Sequence, residues 1–108
     1  MKINKHMAQA LELAAKSKCR HRHGCVITKN GRVIATATNK KVGDAGTAWR
    51  ISHIHAEFGA IGAAGSRASG SHVYIARIGA DGTPAPSKPC KKCKNMLDRA
   101  GVAKVTWT

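Results

Sequence analysis

Two cysteines separated by two residues, Cys90 and Cys93, are the residues of this chain best suited to chemistry. They follow Pro89, and on a helix a spacing of three places both thiols on one side, within reach of a single ion. The dipole and unpaired N–H groups of a helix N-terminus favour thiolate over thiol. Proline is tolerated at a helix start because its missing N–H would be unpaired there. The segment therefore indicates a metal or redox pair at the start of a helix.

His55 and Glu57 are the groups that would complete a metal site. His55 begins an earlier predicted helix and offers a third ligand. Residues two apart diverge on a helix, so both side chains can border one site only from the first turn. One histidine and two thiolates leave the fourth position of a tetrahedral zinc ion for water. A neighbouring carboxylate can accept and deliver the proton of that water, and we assign this role to Glu57.

The two segments together, His-Ala-Glu and then Pro-Cys-x-x-Cys, resemble the signature of zinc-dependent nucleobase deaminases. On these residues the chain is similar to the cytidine and deoxycytidylate deaminase superfamily, over about residues 19–108. The resemblance implies that His55, Cys90 and Cys93 hold Zn²⁺ and that Glu57 is the catalytic proton shuttle. It implies a hydrolase that converts a cytosine-type base to its uracil counterpart and releases ammonia.

The resemblance also implies residues that contact the substrate. Asn39 resembles an asparagine that contacts the sugar in many members, although a turn role is the alternative. The backbone amides of Ala56 and Cys90 lie where members hold the base and the attacking hydroxide. Trp49 and His53, in the loop ahead of the motif, either stack on a base or pack under that loop.

The charge of the chain points to an anionic partner. Lys and Arg number 19 against 5 Asp and Glu, which gives a formal net charge of +14. Such a charge favours nucleic acid or a nucleotide, while solubility alone is the alternative. Lys91 and Lys92, inside the zinc motif, and the nearby Lys88 and Lys94 are candidate phosphate contacts. Only 4% of the residues are aromatic, which argues against a long base-stacking platform.

Three hypotheses for function follow from these observations. The first is deamination of cytosine in single-stranded DNA or RNA, because the charge exceeds what one small anion requires. The second is a deaminase of free cytidine, deoxycytidine or a monophosphate, which would use the same lysines for one phosphate. The third is a non-catalytic zinc module that binds nucleic acid, and the motif does not exclude an adenine-type substrate.

A second group of metal-binding residue types lies earlier in the chain, at Cys19, His21, His23 and Cys25. Its spacing fits no common zinc arrangement. We therefore expect Cys25 to be a core residue of the first strand and the histidines to be exposed. Trp107 is expected to cover the core at the last strand.

Hydrophobic periodicity and turn signals predict the elements of the fold. Asn30-Gly31 between two β-branched runs is a strong hairpin signal, because both turn positions need positive φ. Gly59 and Gly62 are expected to let their helix pack closely on a sheet. The predicted elements are helix 4–18, strands 25–28 and 32–37, helix 55–64, strand 72–78, helix 90–100 and strand 102–108, with loops at 41–52 and 79–89.

This order predicts an α/β fold with three layers, α-β-α, around a mixed four-stranded sheet. The arrangement is cytidine-deaminase-like but minimal at its C-terminus, where the family often has a further strand and helix. We expect a single domain, 1–108, without a membrane segment or signal peptide, and hence a cytoplasmic protein. Because nothing follows the last strand to cover its hydrophobic edge, we also expect a homo-oligomer.

Overall fold

The computed structural model describes residues 4–17, 22–42, 52–54 and 56–108, with residues 40–42, 52–54 and 56–58 described by their backbone alone. The elements, in chain order, are α1 (Lys5–Lys16), β1 (Arg22–Lys29), β2 (Arg32–Thr38), β3 (Lys40–Val42), β4 (Ser52–Ile54), α2 (Ala56–Ala64), a 3₁₀ turn (Gly65–Ala68), β5 (His72–Ile78), β6 (Pro84–Ala85), α3 (Lys91–Arg99) and β7 (Lys104–Trp107).

The hairpin between β1 and β2 forms at the predicted turn. Asn30 and Gly31 have φ angles of 53° and 79°, the left-handed values that a two-residue hairpin turn of this type requires. The strands pair antiparallel from Lys29 opposite Arg32, with one register shift between Ile27 and Thr28. The hairpin prediction is confirmed.

Among the described residues, the main sheet has five strands, not four. β1 lies between β2 and β5 and is antiparallel to both. The other edge of β5 pairs in parallel with β7 and, beyond the end of β7, antiparallel with the two residues of β6. The prediction of a four-stranded sheet missed β6, because two residues inside a proline-rich loop carry no strand pattern. β3 and β4 form a separate two-stranded sheet at the boundaries of the predicted loop 41–52.

One face of the sheet is covered by α1. Met7 and Ala10 of the helix pack against Val26, Tyr74 and Ala76 of the sheet. The approach is closest at a glycine of β1: a Cβ added to Gly24 would lie 2.6 Å from the backbone nitrogen of Ala14 and nearer still to the Ala10 carbonyl oxygen. Because Gly24 has no side chain, the backbone of α1 can lie directly on β1 at this position.

The opposite face is covered by α2 and α3, so the predicted three-layer α-β-α arrangement is confirmed. The core of this layer consists of Cys25, Ile27, Val73 and Ile75 from the sheet and Ala60, Ala64, Ala68 and Leu97 from the helical side. A Cβ at Gly59 would come 3.1 Å from the Cβ of Ala37, so this glycine does permit close packing. Gly62 is exposed and would meet nothing within 4 Å, so its predicted packing role is wrong.

His72 lies on the α1 face, where β5 begins beside β7. Its ring stacks on Tyr74 at a centroid distance of 4.0 Å, and its Nε2 lies 2.8 Å from the hydroxyl of Thr106. Burial, followed by the positive charges of Lys104 and His6, lowers the pKa of His72 below its ordinary 6.5. The neutral ring is therefore the form that the fold prefers.

In the part of the chain that the structure describes, no helix combines the length and the apolar character needed to cross a bilayer.

Candidate active site

The strand directions bring several chain segments to one edge of the main sheet, here called the site edge. β1 begins there, with Arg22 opposite Ile78, and β2 ends there, with Thr38 opposite Gly24. β5 and β7 are parallel, so both also end at this edge. Asn39, the segment 79–89 that leads into α3, and the end of β7 therefore all lie at the site edge.

The N-terminus of α2 reaches the same edge through the small β3–β4 sheet. β3 starts at Lys40, immediately after Asn39, and pairs with Ile54 at the end of β4. α2 begins two residues later, at Ala56, and it contacts α3 along the sheet. The starts of α2 and α3, which carry the two halves of the motif, thus belong to one end of the fold.

The segment that leads into α3 is fixed by hydrogen bonds to the sheet. Buried Ser87 donates its hydroxyl to the carbonyl oxygen of Ile75 over 2.9 Å. Its backbone N–H donates to the Thr108 carbonyl over 2.9 Å, and the Thr108 hydroxyl donates to the Ala85 carbonyl over 2.6 Å. Three residues before Cys90, the chain is therefore held against the ends of β5 and β7. Sequence reasoning missed this contact, because no local pattern relates Ser87 to Thr108.

Cys90 and Cys93 form the start of α3. Cys90 is the N-cap residue with extended backbone angles, φ −67° and ψ 163°, and its sulfur accepts a 3.5 Å hydrogen bond from the Cys93 N–H. Cys90 is exposed and Cys93 is fully buried. Pro89 precedes the cap and lies two positions before Lys91, the first helical residue. Two cysteine sulfurs lie at the start of this helix, and that of Cys90 accepts a backbone hydrogen bond. Such a pair suits a cation that prefers thiolate ligands.

This donor set fits Zn²⁺, with His55, Cys90 and Cys93 as the residues that would hold it. His55 lies outside the described residues, and Glu57 is placed by its backbone alone, as the second residue of α2. Within the described residues, accordingly, no group of three metal-binding side chains occurs. The histidine half of the site therefore stays a prediction, whereas the structure shows both cysteines at the start of α3, and their role as zinc ligands is likewise a prediction.

Asn39 is buried and has a structural role in this fold. Its side-chain oxygen accepts hydrogen bonds from the Ser17 hydroxyl, at 2.6 Å, and from the His23 N–H, at 2.9 Å. It thereby ties the end of α1 to the starts of β1 and β3. The sugar contact stays a prediction, and the participation of Ser17 had no signal in the sequence.

The other predicted substrate contacts are placed only in part. Lys91 and Lys92 are exposed in the first turn of α3, and Ala56 is the first residue of α2. His53 lies in β4, described by its backbone, and Trp49 falls outside the described residues.

Two further expectations concern Cys25 and Trp107. Cys25 is fully buried in the core, as predicted, while Cys19 and His21 of its group lie outside the described residues. Trp107 is 44% exposed, so the prediction that it covers the core is wrong. It is the last residue of β7, at the sheet edge, where no described strand lies beyond it to enclose the ring.

Comparison with known proteins agrees with this arrangement. The profile of the cytidine and deoxycytidylate deaminase zinc-binding region matches residues 1–108. Among curated proteins, no sequence matches the chain significantly.

Several solved structures share the fold. RibD of Acinetobacter baumannii (form 1) is 28% identical over 96% of this chain and 27% of RibD, with a TM-score of 0.66. This chain thus spans about a quarter of RibD. The dCMP deaminase of cyanophage S-TIM5, in complex with dCMP and dUMP, is 24% identical over 95% of this chain and 77% of that one, with a TM-score of 0.73. Cytidine deaminase from Mycobacterium tuberculosis is 21% identical over 97% and 82%, with a TM-score of 0.62.

These findings confirm the predicted superfamily, fold class and zinc cofactor. The chain belongs to the cytidine and deoxycytidylate deaminase family, in its zinc-binding region.

Proposed function

We propose that this protein is a zinc-dependent hydrolase that deaminates a cytosine-type base. The observation that carries the proposal is the pair at the start of α3, where the sulfur of Cys90 caps the helix and accepts the N–H of buried Cys93. The start of α2, with Glu57 in its first turn, belongs to the same edge of the sheet. A zinc ion bound at such a site activates water for attack on an electron-poor ring carbon.

In this proposal Glu57 moves the protons of the reaction. Its carboxylate accepts a proton from the attacking water and delivers it to N3 of the ring as the oxygen bonds to C4. It then takes the remaining proton from the hydroxyl added at C4 and passes it to the amino group, so that the C4–N bond breaks, ammonia leaves and a carbonyl forms at C4. The position of Glu57 in the first turn of α2 supports this role, because the site is expected at the N-terminal end of that helix.

We further propose that the base is presented in single-stranded nucleic acid. Residues 82–108 contain six Lys or Arg and one acidic residue, and Lys91 and Lys92 are exposed in the first turn of α3, next to Cys90. Such a cluster can bind consecutive phosphates. A free nucleotide is the second candidate, and the fold shared with a cyanophage dCMP deaminase favours it.

Turnover of a substrate panel tests the chemistry and separates the two candidates. The panel comprises cytidine, deoxycytidine, their monophosphates, and single-stranded DNA and RNA that contain cytosine. Deamination of the small substrates with inactive oligonucleotides would overturn the polymer proposal. No turnover of any substrate by the zinc-loaded protein would favour the non-catalytic zinc module.

Glu57→Gln tests the role of the carboxylate. We expect this variant to bind zinc normally and to lose deamination, since proton transfer of this kind contributes about 10²–10⁴-fold. Glu12→Gln is the matched control, because Glu12 is an exposed glutamate on α1. Equal turnover by Glu57→Gln and the wild type would contradict the assignment.

Cys93→Ala tests the metal site, with Cys25→Ala as its matched control. Both cysteines are fully buried, but only Cys93 lies in the zinc motif. We expect Cys93→Ala to lose zinc and Cys25→Ala to retain one equivalent, as measured by metal analysis of the purified proteins. Retention of zinc by Cys93→Ala would exclude this residue as a ligand.

We also infer a homo-oligomer. Among the described strands, none pairs with the outer edge of β7, and an open edge of this kind favours association. Light scattering that gives the mass of one chain at micromolar concentration would refute the inference.

A further inference from the structure

A small groove between α3 and β7 has no part in the chemistry described so far. Its volume is ≈ 110 Å³, and its surface is largely apolar, formed by Val105 and Trp107 of β7, Leu97 of α3 and Pro89. Leu97 is buried, whereas Trp107 is 44% exposed, the largest exposed fraction of any large hydrophobic residue that the structure describes. Trp107 therefore lines the groove and is also partly exposed to solvent.

The groove adjoins the zinc motif. Pro89, in its wall, directly precedes Cys90 in the chain. Lys94, also at the groove, donates its backbone N–H to the Cys90 carbonyl oxygen over 2.8 Å, one helical turn away. Trp107 lies opposite Ile75 at the site edge of the sheet. The groove is consequently lined by residues within about one helical turn, roughly 5 Å along the axis, of the start of α3.

The charge around the groove selects an anion with an apolar ring. Lys88 and Lys94 are exposed at its rim, and Lys91 and Lys92 continue the positive surface along α3. Aromatic rings flanked by lysines are the combination by which proteins hold single strands, through base stacking and phosphate contacts. A second copy of this chain, with the same net charge of +14, would not neutralise these lysines as a nucleic acid does, so the contact between copies inferred above is assigned to the outer edge of β7 and not to the groove.

We propose that the α3–β7 groove binds one base of a single-stranded nucleic acid, next to the base held in the active site. The base stacks on Trp107, and Lys88 and Lys94 bind the adjoining phosphates. This inference rests on the proposed function of the zinc site. The groove is far smaller than the roughly 300–1,000 Å³ of pockets that bury drug-sized ligands, so it takes one ring and leaves the sugar and phosphate outside.

Asp98 adds a preference among bases. Asp98 also lines the groove, and an ionised carboxylate can only accept hydrogen bonds. A base with an exocyclic amino group satisfies it, as cytosine N4 does for acidic side chains in other complexes. The carboxylate repels phosphate, which is therefore directed to the lysines at the rim.

The test measures binding without turnover. Zinc-loaded Glu57→Gln protein is titrated into a fluorescein-labelled single-stranded DNA with one cytosine flanked by adenines, and anisotropy reports the Kd. Introducing Trp107→Ala into the Glu57→Gln protein should raise the Kd about 5- to 150-fold, the range that alanine substitution gives for one stacked base. Trp107→Phe should retain most of the affinity, whereas Trp107→Leu should not. Val33→Ala is the control, since Val33 is an exposed hydrophobic residue on β2.

Each result decides the proposal. Equal Kd values for the Trp107→Ala and Val33→Ala proteins would overturn it. A mononucleotide that displaces the labelled strand completely at equal nucleotide concentration would also overturn the proposal. A third contrary result is a Trp107→Ala protein whose oligomeric mass changes while its Kd does not. If Trp107→Leu weakens binding while Trp107→Phe does not, the groove is supported even where no substrate is deaminated. If those binding results are obtained but the wild type deaminates no substrate, the proposed function is refuted and the groove proposal is not.

Discussion

Replacing Gly24 with alanine should strongly destabilise the fold, because this position sets the distance between α1 and the sheet. The added Cβ would lie 2.6 Å from the backbone nitrogen of Ala14 and 2.9 Å from the Cβ of Leu13. Carbon atoms prefer separations of about 3.5–4.0 Å, so α1 would have to move by about 1 Å. The nearest obstacles are backbone atoms that cannot rotate away, so we expect the upper part of the usual overpacking cost, about 3 kcal/mol.

The expected change in Tm follows from the size of the chain. An unfolding entropy of about 2.1 cal/mol/K per residue over 108 residues gives about 0.23 kcal/mol/K. A loss of about 3 kcal/mol therefore lowers Tm by about 13 °C. Thermal unfolding followed by circular dichroism measures this shift in zinc-loaded protein.

Gly62→Ala is the matched control for this substitution. Gly62 lies in α2, and a Cβ there would meet nothing within 4 Å. Since alanine is the better helix former, this variant should be more stable by about 0.5–1 kcal/mol. A Tm for Gly24→Ala within about 2 °C of the wild type would refute the packing of α1 against β1 described above.

Three further predictions concern the rest of the core and the pH dependence. Ser17→Ala removes a buried 2.6 Å hydrogen bond to Asn39 and should cost about 1 kcal/mol in urea unfolding; no change would mean that the bond is absent in solution. Leu97→Ala empties a buried position between α3 and the sheet and should cost about 2–5 kcal/mol, whereas a cost below about 1 kcal/mol would contradict that packing. The pKa of His72 is lowered, first by burial and then by Lys104 and His6, so on acidification the unfolded chain takes up this proton before the folded chain does. The stability that neutral His72 gives is present above pH 6.5 and is lost as the pH falls through the lowered pKa. The Tm of His72→Gln should therefore fall less than the Tm of the wild type between about pH 7 and about pH 5. Parallel curves of Tm against pH for the two proteins would refute this.

Features that depend on local chemistry were predictable from the sequence. The left-handed angles at Asn30 and Gly31 follow from residue types that tolerate them, and the hairpin follows from the turn. Gly101, with φ 79°, ends α3 as expected of a glycine after a helix. The spacing of Cys90 and Cys93 predicted two thiols at the start of that helix, where the structure has them. In each case the determining residues are close together in the chain.

Features that depend on distant neighbours were missed. β6 forms because Pro84 and Ala85 pair with the part of β5 that extends beyond the end of β7. Neither residue type favours a strand, so no pattern in the sequence indicates this pairing. Trp107 was expected to cover the core, but it is 44% exposed, and its exposure depends on its neighbours at the sheet edge rather than on adjacent residues in the chain. Asn39 looked available for a ligand, whereas Ser17, 22 residues away, donates to its side chain.

The direction of β7 has a consequence for the order in which the molecule folds. α1, β1 and β2 are contiguous, and a hairpin of this kind closes within about 1–10 μs. The pairing of β1 with β5 must instead bring Thr28 to His72, and that of β5 with β7 must bring His72 to Lys104 across α3, and such non-local contacts form slowly. The thiols at the start of α3 lie between β5 and β7, so the protein should form the β1–β2 hairpin first and acquire a site able to retain zinc only when these distant strands have paired, in the last kinetic phase. Stopped-flow refolding with a zinc-sensitive dye would then show metal uptake at the rate of that phase and never ahead of it.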